Sequence, residues 1–259
     1  MTAAGIRLLR NSLRRHHAEI EQQWNFVVLL PSWACPPAED FLELIGEAEL
    51  IPVPQRRYAD PYAAKLILQD FASGLDSTTQ LLYLDYDHVA FAPFNPEVPP
   101  GGVVEVGSRT TPLASKHHRG VDNPFIDALS RFGIHNNSLI HGEVSSLASA
   151  MTEWTLAYES LDGLIDDRIR EESAFTASAL RSGATLRSAR LEVQSDWLDN
   201  TPSPRLFHYG GELPEATTLK AHLTTIAKTG RVPDTCGELL RQTPLGRLLA
   251  THLVDAATY

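Results

Sequence analysis

Apolar positions come in two alternating patterns along the first half of the chain. Residues 4–22 carry Ile6, Leu9 and Leu13 at helical spacing, which predicts a helix with one buried stripe. Phe26-Val27-Val28-Leu29-Leu30 follows, an unbroken apolar run ended by Pro31. A run this short and continuous suits a strand covered on both faces, as in a parallel sheet. Residues 37–48 return to helical spacing through Phe41, Leu44, Ile45 and Ala48. Leu50 to Val53 predicts a second strand, closed by Pro54, and residues 61–74 a helix that stops near Gly74. Leu81-Leu82-Tyr83-Leu84 predicts a third strand, which runs directly into Asp85 and Asp87.

The stretch 92–124 breaks this rhythm. It is rich in Pro and Gly, holds one strand at Val103 to Val106, and predicts a loop region over a sheet edge. Residues 133–142 read as a strand. A helix is predicted over 143–161, with Val144, Leu147, Met151, Trp154, Tyr158 and Leu161 three or four apart. Another helix covers 163–182, and short strands are predicted near 186–193 and 205–209. Helices close the chain at 215–228 and 236–256, the second interrupted by Pro244. Alternating helices and short apolar strands define an α/β fold with a largely parallel sheet. Without an internal repeat or a low-complexity tract, a single domain with a helical tail is the simplest organisation.

Composition narrows the function classes. With 259 residues, 43% of them hydrophobic and 21% charged, the chain is a globular protein and not a disordered one. No apolar run reaches the length of a membrane span. The early arginines have no apolar segment behind them, so they do not form a secretory signal. Cys35 and Cys236 are too far apart for a zinc knot or a disulfide framework, which predicts a cytoplasmic location. A net charge of −10 argues against a nucleic-acid partner. The basic clusters at Arg7 to His17, Arg56-Arg57 and Lys116 to Arg119 read as solvated faces, or as contacts for phosphate on a small ligand.

The chemistry concentrates at Asp85-Tyr86-Asp87. Ligands of open parallel sheets bind beyond the carboxyl ends of the strands, and these acids stand there. Two carboxylates at i and i+2 suit one hard cation, magnesium or manganese, which keeps open positions for phosphate oxygens. A turn capped by Asp is the plain alternative. Two enzyme classes use the pattern. Leu82 to Val89 fits the opening motif of the haloacid-dehalogenase-type phosphatases, but two strands precede it here. Their second acidic motif has only a loose echo in Asp162-Gly163-Leu164-Ile165-Asp166-Asp167.

The order of further motifs resembles the other class, the nucleotide-sugar glycosyltransferases of the GT-A fold, in particular the retaining glycogenin and lipopolysaccharide glycosyltransferase type. Tyr62 to Leu66 followed by Leu81 to Asp87 resembles that family's helix and strand leading to the metal motif. Ile134-His135-Asn136-Asn137-Ser138-Leu139-Ile140 resembles its sugar-contacting strand. Glu171-Glu172-Ser173-Ala174-Phe175 resembles its acidic stretch on the sugar side, with Glu172 where Gln is frequent. Leu206-Phe207-His208-Tyr209-Gly210-Gly211 resembles its late His-x-x-Gly element.

The resemblance spans residues 6–211 and implies a GT-A, Rossmann-like mixed sheet flanked by helices. It implies a nucleotide-binding half at 1–92, a sugar and acceptor half at 93–211 and a helical tail at 212–259. It further implies that Asp85, Asp87 and His208 hold Mn2+ or Mg2+, and that Lys65, Asn137, Gly210 and Gly211 meet the donor. Asn136, Glu171 and Glu172 would act at the sugar. The donor would be a nucleoside diphosphate sugar, a UDP-sugar foremost, and the acceptor a hydroxyl. The acceptor's identity and the oligomeric state stay open, a homodimer included. Plain readings stand beside this: Lys65 as a solvated helix residue, His208 as a satisfied strand histidine, Asn136 and Asn137 as turn formers, Glu171 and Glu172 as a solvated helix face beside Arg168 and Arg170, and His88, His117 and His118 as surface residues. The family also opens with a strand and a Thr-containing loop, whereas Met1 to Gly5 leads straight into helix. That departure implies a missing first strand, hence an upstream start or a reduced nucleotide pocket, and motivates a non-catalytic binding protein as the alternative.

Overall fold

The computed structural model describes residues 2–16, 23–31, 49–53, 62–90, 99–107, 110–113, 122–189, 192–194 and 206–208. The helices expected at 37–48, 215–228 and 236–256, together with Gly210, Gly211, His117 and His118, lie outside these residues.

Helix α1 (Thr2–His16) is followed by strands β1 (Val27–Pro31) and β2 (Glu49–Val53), which pair in parallel. A 3-10 segment, Tyr62–Leu66, runs into α2 (Ile67–Ser73) and then β3 (Gln80–Leu84). Next come β4 (His88–Ala90), β5 (Val103–Val106), β6 (Thr110–Thr111) and α3 (Pro124–Phe132). Asn123 caps α3, its side chain accepting from the N–H groups of Phe125 and Ile126. The chain continues through β7 (Ile134–His135), β8 (Leu139–Glu143), α4 (Val144–Ala150), α5 (Trp154–Ser160) and α6 (Asp167–Arg181). The last described elements are β9 (Thr185–Ser188), β10 (Glu192–Gln194) and β11 (Leu206–His208).

The four-stranded sheet has the order β3-β8-β5-β9. Strand β8 runs antiparallel to both β3 and β5, while β9 is parallel to β5. Three strands therefore share one direction and β8 opposes them, which makes the sheet mixed. The reversal positions the site. The end of β3 at Leu84 lies opposite the start of β8 at Leu139, and the Asp85 N–H donates to Ser138 O at 2.8 Å. The loop before β8 is thereby fixed beside the acidic motif.

Side chains of β3 alternate between two cores, as the period of a strand requires. Leu81 and Tyr83 pack on the larger core with Leu66, Val104, Ile140, Leu147, Trp154 and Phe175. Leu82 and Leu84 pack on the smaller one with Leu9, Leu13, Leu139 and Leu206. Leu9 and Leu13 of the predicted α1 stripe are buried there, and Ser12 ties the helix down. The Ser12 hydroxyl donates to Leu9 O at 2.7 Å and accepts from the Ala90 N–H at 2.9 Å. In the sheet, the buried Glu105 is paired with Arg187 at 2.6 Å and lies 3.0 Å from His141 Nδ1, so its charge is not isolated.

Three expectations need correction. The single strand 133–142 is two, parted by the loop 136–138. The helix expected at 163–182 begins later, at Asp167, after a turn through Gly163. The continuous helix 143–161 is also two, broken at Met151-Thr152-Glu153. The hydroxyl of Ser178 on α6 enters that break. It donates to Ala150 O at 2.7 Å and accepts from the Glu153 N–H at 3.0 Å. The backbone groups freed at the break are met by another helix, a cause invisible to hydrophobic spacing.

Candidate active site

Asp85, Asp87 and His208 come from two strand ends far apart in sequence, yet each brings a ligand atom within 4.8 Å of the other two. Antiparallel pairing of β4 with β11 does this, with His88 opposite His208. His208 Nε2 lies 3.1 Å from Asp87 Oδ1. The two imidazoles stack, centroids 4.7 Å apart. His88 Nδ1 is 2.9 Å from Asp85 O. The expectation that His88 is a surface residue is overturned, because its side chain is fully buried between the two strands. Two carboxylates and one imidazole form a donor set that fits manganese or magnesium, the imidazole favouring the transition metal.

A second network adjoins this cluster. Lys65, on the 3-10 segment, points its ammonium at Asp85 Oδ2 at 2.9 Å and at Asn137 Oδ1, also at 2.9 Å. Glu171 Oε2 is 3.7 Å away. Asn137 Nδ2 donates to Glu171 Oε1 at 2.5 Å, and Asn136 Nδ2 to Glu172 Oε1 at 2.8 Å. Two successive asparagines thus meet two successive glutamates. The asparagines stand in the short loop between β7 and β8. Asn136 Oδ1 shapes that loop by accepting from the Ser138 N–H at 3.0 Å.

The buried side of helix α6 carries the small residues Ser173, Ala174, Thr176, Ala177 and Ser178 together with Phe175, which packs edge-on against Trp154. Trp154 Nε1 donates to Glu171 O at 3.3 Å and fixes the backbone there. Glu171 is buried, so it is not part of a solvated face. Its neighbour arginines turn elsewhere. Arg170 pairs with Asp162 and Asp167 and donates to the Tyr158 hydroxyl, while Arg168 pairs with Asp166. The acids of the loose phosphatase echo are thereby held in ion pairs.

Burial governs the charges of this network. It pushes the Glu171 carboxyl up to about 8, against the pull of Lys65 and with help from Glu172. Burial alone would lower the Lys65 ammonium, but Asp85 and Glu171 outweigh it and hold it well above its ordinary range. Tyr83 was not anticipated as a site residue. Its hydroxyl donates to Asp85 Oδ1 at 2.5 Å. Burial, with Asp85 beside it, raises the phenol well above its usual value and keeps it a donor. The signal was present in the sequence, since residues i and i+2 of a strand share a face.

No family model and no curated protein sequence matches the chain. Solved structures do. A crystal structure of the galactosyltransferase LgtC in complex with donor and acceptor sugar analogs is similar over 92% of this chain and 96% of that chain. The TM-score is 0.56 and the sequence identity 12%. A crystal structure of an active-site mutant of LgtC, a glutamine replaced by glutamate, gives a TM-score of 0.53 at 13% identity over the same shares. The chain has the GT-A fold of these glycosyltransferase structures. No described helix is long and apolar enough to cross a membrane.

Proposed function

We propose that this chain is a glycosyltransferase that moves a sugar from a nucleoside diphosphate sugar, a UDP-sugar foremost, to a hydroxyl acceptor. The observation that carries the reading is the convergence of Asp85, Asp87 and His208 on one point beyond the end of β3. The GT-A fold supports it, and LgtC, which shares that fold, is a galactosyltransferase. Retention of the anomeric configuration rests on the motif resemblance.

Asp85, Asp87 and His208 would hold a divalent cation, Mn2+ or Mg2+. When bound, the cation supplies Lewis-acid neutralisation of the charge on a departing diphosphate. Lys65 offers a second positive charge next to the same point. It is a compact ammonium on a flexible stem, able to follow phosphate oxygens. Asn136 and Glu172 orient each other where the motif order expects the sugar. Burial favours the protonated form of Glu171, which limits the negative charge beside Asp85. Gly210 and Gly211 are carried as donor contacts by the resemblance.

The test is transfer or slow donor hydrolysis from UDP-sugars with Mn2+. Wild type is expected to turn over, and Asp87→Ala to fall to background with its circular dichroism unchanged. Full activity in Asp87→Ala would refute the metal role. Hydrolysis of generic phosphate monoesters, lost in Asp85→Asn, would support the phosphatase instead.

A further inference from the structure

The metal cluster and the lysine network meet at one carboxylate, and both of its oxygens are already engaged. Asp85 Oδ1 accepts from the Tyr83 hydroxyl at 2.5 Å, and Oδ2 lies 2.9 Å from the Lys65 ammonium. A cation held by Asp85 with Asp87 and His208 needs one of these oxygens. The phenol is neutral and carried on a rigid ring, so it tolerates a cation on the same carboxylate. The ammonium is itself a cation, and like charges within a few ångström repel strongly in a part-buried site. Lys65 also has other acceptors within reach, Asn137 Oδ1 at 2.9 Å and Glu171 Oε2 at 3.7 Å. It is therefore the group able to leave Asp85.

We infer that Lys65 is a positioning residue that couples metal binding to donor binding. In the free protein its ammonium holds Asp85 and competes with the divalent ion. The diphosphate of a donor draws the ammonium onto its own oxygens and releases Asp85 to the ion. Metal and nucleotide then each tighten the binding of the other by the same factor. This rests on the metal-dependent diphosphate site proposed above and adds the order in which it is completed.

The test is a Mn2+ titration of the whole protein, read by the electron paramagnetic resonance signal of free Mn2+, with and without UDP. Without UDP, Lys65→Gln is expected to bind Mn2+ at least about fivefold more tightly than wild type, the lower end of the usual coupling between two sites. Its gain in affinity on adding UDP should be smaller than the wild-type gain. Lys65→Arg keeps a cation on Asp85 and should stay near wild type. Equal or weaker Mn2+ binding by Lys65→Gln overturns the inference. If wild type then still binds Mn2+ and Asp87→Asn does not, the metal site itself stands. Binding by none of the proteins overturns both. Should Lys65→Gln lose its native circular dichroism, the acetylation rate of Lys65 in wild type decides. Saturating Mn2+ is expected to raise it, and an unchanged or slower rate overturns the inference.

Discussion

The imidazole of His88 lies flat against that of His208, their planes only 17° apart, because the two residues are cross-strand partners of β4 and β11. His88 thus forms one wall of the place where His208 would meet a metal, and it also touches the backbone of Asp85. Partners of metal ligands typically carry a factor of ten to a hundred in affinity. His88→Ala is expected to weaken Mn2+ binding by about tenfold. His88→Phe keeps an aromatic face on His208 and should recover most of it. A Mn2+ titration checks both, and wild-type affinity in His88→Ala would show that His208 is held without its neighbour.

Glu171 makes stability depend on pH in a definite direction. Its carboxyl is pushed by burial from an ordinary 4.5 to about 8 in the folded protein. Between those values the folded state keeps a proton that the unfolded chain has released. Stability contributed by this group therefore falls as pH rises through that interval and levels off above it. The slope is at most about 1.4 kcal/mol per pH unit. Glu171→Gln removes the titration, so its stability relative to wild type should rise from acid to mildly alkaline pH. Urea unfolding across that range reads the difference, and parallel curves would contradict the buried, protonated carboxyl.

Ser178 is expected to matter far more than a small polar residue on a helix normally does. Its hydroxyl serves Ala150 O and the Glu153 N–H at once. Ser178→Ala leaves the buried Ala150 carbonyl and the part-buried Glu153 N–H without that partner, at about 1–3 kcal/mol. Denaturant unfolding measures the loss. A change within about 0.5 kcal/mol, the usual range for surface substitutions, would mean that the break closes in another way.

Strands β1, β2 and β3 were legible because each is a short apolar run, and the predicted stripe of α1 is buried. The acids at the end of β3 were legible for the same reason, since the strand that carries them is unmistakable. What escaped depends on distant partners. The spacing of Met151 and Trp154 continues the helical pattern straight through the break, whose cause is a hydroxyl on α6. His88 reads as a polar surface residue until β11, more than a hundred residues later, covers it. Lys65 came to the site only through the motif resemblance; its contacts with Asp85 and Asn137 depend on the loop before β8 lying beside the end of β3. Tyr83 stands two residues before Asp85, but its ring equally suits the core, so the strand period alone does not single it out.

If a metal and a nucleoside diphosphate complete the site together, thermal unfolding reads it. The protein would be melted with UDP, GDP and other nucleoside diphosphates, each with and without Mn2+. At a hundred times its dissociation constant a ligand stabilises by about 2.7 kcal/mol, roughly 5–10 °C for a chain of this size. A shift of that order is expected for one nucleotide, seen only when Mn2+ is present and lost in Asp87→Ala. No shift with any nucleoside diphosphate, with or without metal, would contradict it.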